Sequence, residues 1–183
     1  MIRHTRLRLA ATALAVVGTL AATRATLARP YDPTPLAIGA KAPDFQLPGV
    51  DGKTHALTDF ADAKVLVVLF TCNHCPTAQA YEGRIARLHE EYKDDGVAVV
   101  AISPNDPSAV RLDELGYTDV GDSFLDMKIR ADEKGFTFPY LYDGDTQEVA
   151  KAYGVLATPH VFVFDQTRVL RYQGRFDDAE VRK

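Results

Sequence analysis

Two uninterrupted apolar runs, Val65–Phe70 and residues 97–102, bracket a stretch with a different rhythm. Each run has the length of a strand and no polar face, as expected of strands buried on both sides of a parallel sheet. Between them Tyr81, Ile85, Leu88 and Tyr92 recur at intervals of four, three and four. Glu82, Arg84, Arg87, Glu90 and Glu91 take the other side, so the spacing predicts an amphipathic helix over residues 76–93. Gly96 stops it. Strand, helix and strand with a short return make a βαβ unit, which implies parallel pairing and a right-handed crossover.

The flanks are shorter and more polar. Residues 44–47 and 54–57 read as brief strands around the turn Asp51-Gly52-Lys53. A second helix is expected over residues 123–133, where Ser123 and Asp126 form a capping box and Phe124, Met127 and Ala131 share a face. Residues 138–141 read as a short extended piece and 146–153 as a short helix. Residues 161–164 and 169–172 alternate as a hairpin across Asp165 to Arg168. No internal repeat is visible.

The first thirty residues break this pattern. Arg3, Arg6 and Arg8 precede fifteen residues, Leu9 to Thr23, without a charge. Small residues then lead to a candidate cleavage site after Ala28, the layout of a secretory signal peptide. Fifteen residues fall short of the roughly 20 that span a bilayer, so contact with a membrane is expected only through an uncleaved leader. The expected organisation is thus a signal peptide at 1–28, an extended Pro-rich lead-in at 29–37 and one domain at 38–183. The expected location is periplasmic or secreted. The leader carries four Arg and no acid, so its removal takes the formal charge from −4 to −8. An acidic body argues against nucleic acid as a partner.

The chain has two cysteines, and both lie in Phe70-Thr71-Cys72-Asn73-His74-Cys75-Pro76, directly after the first apolar run. In an oxidising compartment two such cysteines invite a Cys72–Cys75 disulfide. A bridge across two residues constrains the unfolded chain little, which favours chemistry over a structural staple. The reactive species is a thiolate, and unpaired N–H groups at a helix start near Cys75-Pro76 would lower a nearby thiol pKa. Cys72 is expected to attack, and Cys75, taken as the more buried sulfur, to resolve the mixed disulfide. His74 between them would stabilise the Cys72 thiolate and make the disulfide more oxidising. His160 is expected to be a packed or solvated side chain without a catalytic role. The dithiol itself carries two electrons, so no cofactor is implied. Metal is not expected either: no second Cys-x-x-Cys or His-x₃-His completes a zinc site.

These segments resemble the redoxin branch of the thioredoxin superfamily, the alkyl hydroperoxide reductase/thiol-specific antioxidant group and its peroxiredoxin-like members. The resemblance covers about residues 38–177 and rests on Ile38-Gly39-Ala40-Lys41-Ala42-Pro43-Asp44-Phe45, Asp51-Gly52-Lys53, the cysteine segment, Thr158-Pro159 and Gly174-Arg175. It implies an α/β, thioredoxin-like fold: a central mixed β-sheet flanked by helices, with the redox cysteine at a strand–helix junction. It also implies a cis peptide at Thr158-Pro159, facing the sulfurs and binding substrate together with Thr71. Its expected substrates are protein thiols and disulfides or small thiols and peroxides, with a partner protein to supply electrons.

Three departures shape the expectation. The peroxide-activating residues of the group are absent, since Leu69 and Val65 precede Cys72 at the required spacings. Thr71 is the one hydroxyl close enough to substitute. The buried acid of typical thioredoxins is replaced by Leu66. Few apolar residues follow Phe176, so the usual terminal helix is missing and an apolar face of the last strands needs a cover, from the N-terminal segment or a second subunit in a dimer. The expected function is an exported thiol–disulfide oxidoreductase. The alternatives are a thiol peroxidase acting through Cys72 and a copper carrier using Cys and His ligands.

Overall fold

The computed structural model describes residues 33–109 and 121–178. The expected leader, the first four residues of the lead-in and the last five residues lie outside them. A small antiparallel ribbon, β1 (Gln46–Pro48) and β2 (Thr54–Ala56), precedes a 3₁₀ turn and the central strand β3 (Val65–Phe70). Helix α1 (Pro76–Tyr92) leads to β4 (Val97–Ser103), which pairs parallel with β3 from Val65↔Val97 to Phe70↔Ile102. Helix α2 (Phe124–Lys134) and β5 (Tyr140–Tyr142) repeat the pattern, with β5 parallel to β4. Helix α3 (Glu148–Tyr153) then leads to the hairpin β6 (His160–Asp165) and β7 (Leu170–Gly174), which closes the other side antiparallel. The strand order is β5-β4-β3-β6-β7. This is the mixed sheet flanked by helices that the sequence implied.

Strand alternation divides the core into two layers. Leu66, Val68 and Phe70 meet Val100, Ile102, Phe162, Phe164 and Tyr153 on one face. Val67 and Leu69 meet Val99, Ala101, Tyr81, Ile85, Met127 and Ala131 on the other, beneath α1 and α2. The two helices are joined by Arg130, whose guanidinium donates to both oxygens of Glu82 at 2.8 and 2.9 Å. The expected apolar stripe of α1 weakens along its length. Tyr81 and Ile85 are buried, Leu88 is half-buried and Tyr92 is exposed.

The second helix starts as its capping box requires. Ser123 Oγ accepts from the Asp126 N–H at 3.1 Å, and Asp126 Oδ2 accepts from the Ser123 N–H at 3.2 Å. The end of the lead-in and the first residues of the domain, 34–42, follow β7 and α3, with Leu36 N–H donating to Tyr153 O and Gly39 N–H to Leu170 O. Gly154 is required where they pass: its φ is +65°, and a Cβ there would sit 2.0 Å from Thr34 O. The lead-in therefore packs against the first core layer through Leu36. On the other face Val163 is half-buried and Tyr172 exposed, while Phe176 folds back onto Tyr81 at 5.4 Å between ring centroids.

Phe162 is fully buried between the rings of Phe70 (5.8 Å) and Tyr153 (5.4 Å). Phe162→Ala is expected to cost about 3–5 kcal/mol in urea unfolding, because both the transfer term and a cavity are lost. A loss below about 1 kcal/mol would show that this layer is loosely packed.

Candidate active site

The sulfurs sit where β3 ends and α1 begins, at the carboxyl end of the parallel strands. Thr71 N–H still donates to Ile102 O at 2.9 Å, extending the β3–β4 ladder by one residue. Cys75 is the N-cap of α1 and Pro76 occupies its first turn, where a missing N–H removes no helical bond. Both sulfurs are free thiols. Cys72 is 2% exposed and Cys75 is partly exposed. That reverses the burial order expected from the sequence. Cys72 still belongs to the end of the buried central strand, while Cys75 already stands at the mouth of the helix.

The loop carrying Thr158 lies against both sulfurs. The Thr158–Pro159 peptide is cis. Thr158 Oγ1 is 3.0 Å from Cys72 Sγ, and the Thr158 carbonyl oxygen is 3.8 Å from Cys75 Sγ. Thr71, expected beside Thr158 as a substrate-binding residue, is buried, and its hydroxyl bonds neither sulfur. His160 packs its ring 4.4 Å from Phe162, with Nε2 2.8 Å from Gln173 Oε1. Burial holds its pKa below the usual histidine range, so it is a packed side chain as expected.

What sequence reading missed is Asp122, just before the Ser123 cap. Its side chain is 0% exposed. Oδ1 accepts from the backbone N–H groups of Asn73 (2.7 Å) and His74 (3.1 Å). Oδ2 accepts from the Asn105 amide at 2.7 Å and pairs with His74 Nδ1. The imidazole is thus held by a carboxylate and bonds neither sulfur. Asn73 completes the network, donating to Gly121 O at 2.9 Å and accepting from Tyr140 Oη at 3.0 Å. Cys72, His74 and Asp122 bring S, N and O atoms within 4.8 Å of one another. Their hydrogen bonds already engage the carboxylate and imidazole, so metal held there would break this network.

The two thiols perturb each other. The Cys72 pKa is pushed far up, first by its hydrogen bond with Cys75, then by burial, with the Asp122 charge adding to both. Cys75 moves far down, first through the same bond and then through the Ala78 and Thr77 amides at the start of α1.

Residues 38–173 match the AhpC/TSA family. The chain belongs to that family. It is 30% identical to the thiol-disulfide oxidoreductase ResA of Geobacillus thermodenitrificans over 73% of this chain and 66% of that protein, so it spans just under two-thirds of that relative. Identity to the alkyl hydroperoxide reductase E of Mycobacterium tuberculosis is also 30%, over 80% of this chain and 90% of that protein. The thioredoxin domain of a Bacteroides vulgatus thiol-disulfide oxidoreductase superposes with a TM-score of 0.61 at 19% identity, covering 78% of this chain and 91% of that one. The fold is thioredoxin-like, and this AhpC/TSA member presents its two thiols against the cis-proline loop.

Asn73→Ala removes the acceptor of the buried Tyr140 hydroxyl and the donor to Gly121 O. Denaturant unfolding is expected to show a loss of about 2 kcal/mol, since a buried polar group is left unpaired. A loss below about 0.5 kcal/mol would mean that the network contributes nothing to holding the cysteine loop.

Proposed function

We propose that this AhpC/TSA protein is an exported thiol–disulfide oxidoreductase that works through the Cys72–Cys75 pair. The observation that carries this reading is the meeting of two free thiols at the strand–helix junction, both within reach of Thr158. A thiolate of the pair attacks a substrate disulfide, forms a mixed disulfide and expels one substrate thiolate. The second sulfur then attacks the first, releasing the other substrate thiol and leaving a Cys72–Cys75 disulfide. Two electrons pass to the substrate, and a reducing dithiol partner restores the pair. Thr158 with Pro159 holds the extended partner segment. His74 and Asp122 keep the loop between the sulfurs in place. The names of the Geobacillus and Mycobacterium relatives support dithiol exchange and peroxide reduction respectively. Leu69 and Val65, standing where peroxide-activating residues would lie, favour exchange.

Insulin disulfide reduction, driven by dithiothreitol, is expected to fall to background in Cys72→Ser and in Cys75→Ser. Thr158→Ala should lower kcat/KM about fivefold, the value of one lost hydrogen bond. Full activity in either serine variant would overturn the dithiol reading. A dimedone adduct formed after one equivalent of peroxide, with peroxide turnover, would establish the peroxidase instead.

Export rests on the basic start, the uncharged stretch Leu9 to Thr23 and the small residues before Arg29. Sequencing the amino terminus of the protein recovered from the periplasm or medium should read Arg29-Pro30-Tyr31. Retention of Met1 on protein found solely in the cytoplasm would refute export.

A further inference from the structure

We infer that His160 is the positioning residue of the cis-proline loop: its imidazole, held by Gln173 on β7, takes the Leu156 N–H through Nδ1 and so fixes the main chain that presents Thr158 to the sulfurs. The inference rests on the dithiol exchange proposed above, in which Thr158 must stay beside both thiols.

Little else holds the loop. Val155 N–H still donates to Ala150 O at 3.0 Å at the end of α3. Beyond it, among the described residues, the N–H groups of Leu156, Ala157 and Thr158 meet no main-chain acceptor. Pro159 has no N–H. Leu156 is 58% exposed and Ala157 is exposed too, so side-chain burial does not hold these two residues. The bond that remains there runs from Leu156 N–H to His160 Nδ1 at 3.4 Å. A bond of that length is weak by itself. It acts by closing a turn of four residues onto a rigid acceptor.

The acceptor is rigid because the sheet holds it. His160 opens β6 level with Phe70 of β3, two residues before Cys72. Gln173 stands opposite Phe162 in the β6–β7 register, and His160, two residues earlier, is its diagonal neighbour on the same face. Nε2 lies 2.8 Å from Gln173 Oε1, and the ring packs 4.4 Å from that of Phe162.

These contacts place the proton. A main-chain N–H can only donate, so Nδ1 is the bare nitrogen and Nε2 carries the hydrogen given to Gln173. The residue is 6% exposed, and burial holds its pKa below the usual histidine range despite the Gln173 bond, so the ring is uncharged at neutral pH. Phe162, Gln173 and the Leu156 amide, which face it, carry no charge. With the chain held at Leu156 and again at His160, the three residues between them have little freedom. Thr158 is thereby kept with Oγ1 3.0 Å from Cys72 Sγ and its carbonyl oxygen 3.8 Å from Cys75 Sγ.

The two ring nitrogens can be removed separately. His160→Asn keeps an acceptor at the Nδ1 position and loses the reach to Gln173, whereas His160→Gln does the reverse. In the reduced full-length chain, amide hydrogen exchange at Leu156 is expected to be at least about tenfold slower in the parent and in His160→Asn than in His160→Gln. Dithiothreitol-driven insulin reduction should follow the same order. Its kcat/KM should fall about fivefold in His160→Gln and return to within about twofold of the parent in His160→Asn. If His160 merely ties β6 to β7, glutamine is the better substitute, and that reversed order would overturn the inference. Nitrogen-15 NMR of the parent imidazole reads the tautomer without any substitution. A bare Nδ1 beside a protonated Nε2 is expected near pH 7, and a proton on Nδ1 would overturn the inference even if neither variant folds. Leu156 exchange that follows the Nδ1 acceptor, in a parent chain that does not reduce insulin, defeats the proposed function alone. An active parent whose Leu156 exchanges alike in both variants defeats this inference alone.

Discussion

One carboxylate holds the redox loop in its working shape. Asp122 is fully buried, and its two oxygens take four donors: two backbone N–H groups, one imidazole and one amide. Burying an isolated carboxylate costs several kcal/mol even after relaxation, so the site is tolerable only because every lone pair is used. The dependence is mutual. The N–H groups of Asn73 and His74 leave the sheet just past β3, where no strand can pair them, and Asp122 is their partner. Without it the two residues between the sulfurs would have neither a fixed backbone nor a fixed ring.

That clamp requires a mixed sheet. On its parallel side β3 is paired with β4, whose continuation brings Asn105 alongside the loop. On its antiparallel side it is paired with β6, whose first residue His160 is level with Phe70. The chain therefore enters β6 at the same end at which it leaves β3, and Thr158–Pro159 arrives beside the sulfurs as a consequence of direction alone. An all-parallel sheet would place the entry to β6 at the opposite end. The Arg130–Glu82 bridge matters for the same reason, since it fixes α2 and its preceding turn against the helix that Cys75 caps.

Much of this was legible because the relevant signals are local. The apolar runs of β3 and β4, the Ser123–Asp126 box and the hairpin closing on Arg168 each announce themselves within a few residues. The cysteine pair and Thr158-Pro159 were legible through family resemblance, and the structure places them together. Asp122 was not legible. It stands among 25 acidic residues, in a polar stretch without periodicity, and its partners are 17, 48 and 49 residues away. The capping box even drew attention one residue past it. The burial order of the cysteines failed for a related reason. Local reasoning located the helix start at Cys75-Pro76 but assumed that the helix would bury the sulfur at its own start. The groups lying against Cys72 are Thr158, in the loop before β6, and Asp122, neither of which is near in sequence. The fading of the α1 stripe at Leu88 and Tyr92 is the same effect, as periodicity specifies a face without specifying how far its cover extends.

The position of Leu66 shows why the acid sits where it does. Leu66 points into the layer of Phe162, Phe164 and Tyr153, which is wholly aromatic and aliphatic around it. A carboxylate there would face rings and no donors. The α1–α2 side offers what that layer lacks, since the loop after β3, the segment after β4 and the turn before α2 all turn polar groups toward one point. Placing the charge there leaves the layer around Leu66 apolar and anchors the loop between the thiols through one turn. The packing at Leu66 and the polar anchor of the loop after β3 therefore belong to opposite sides of the sheet.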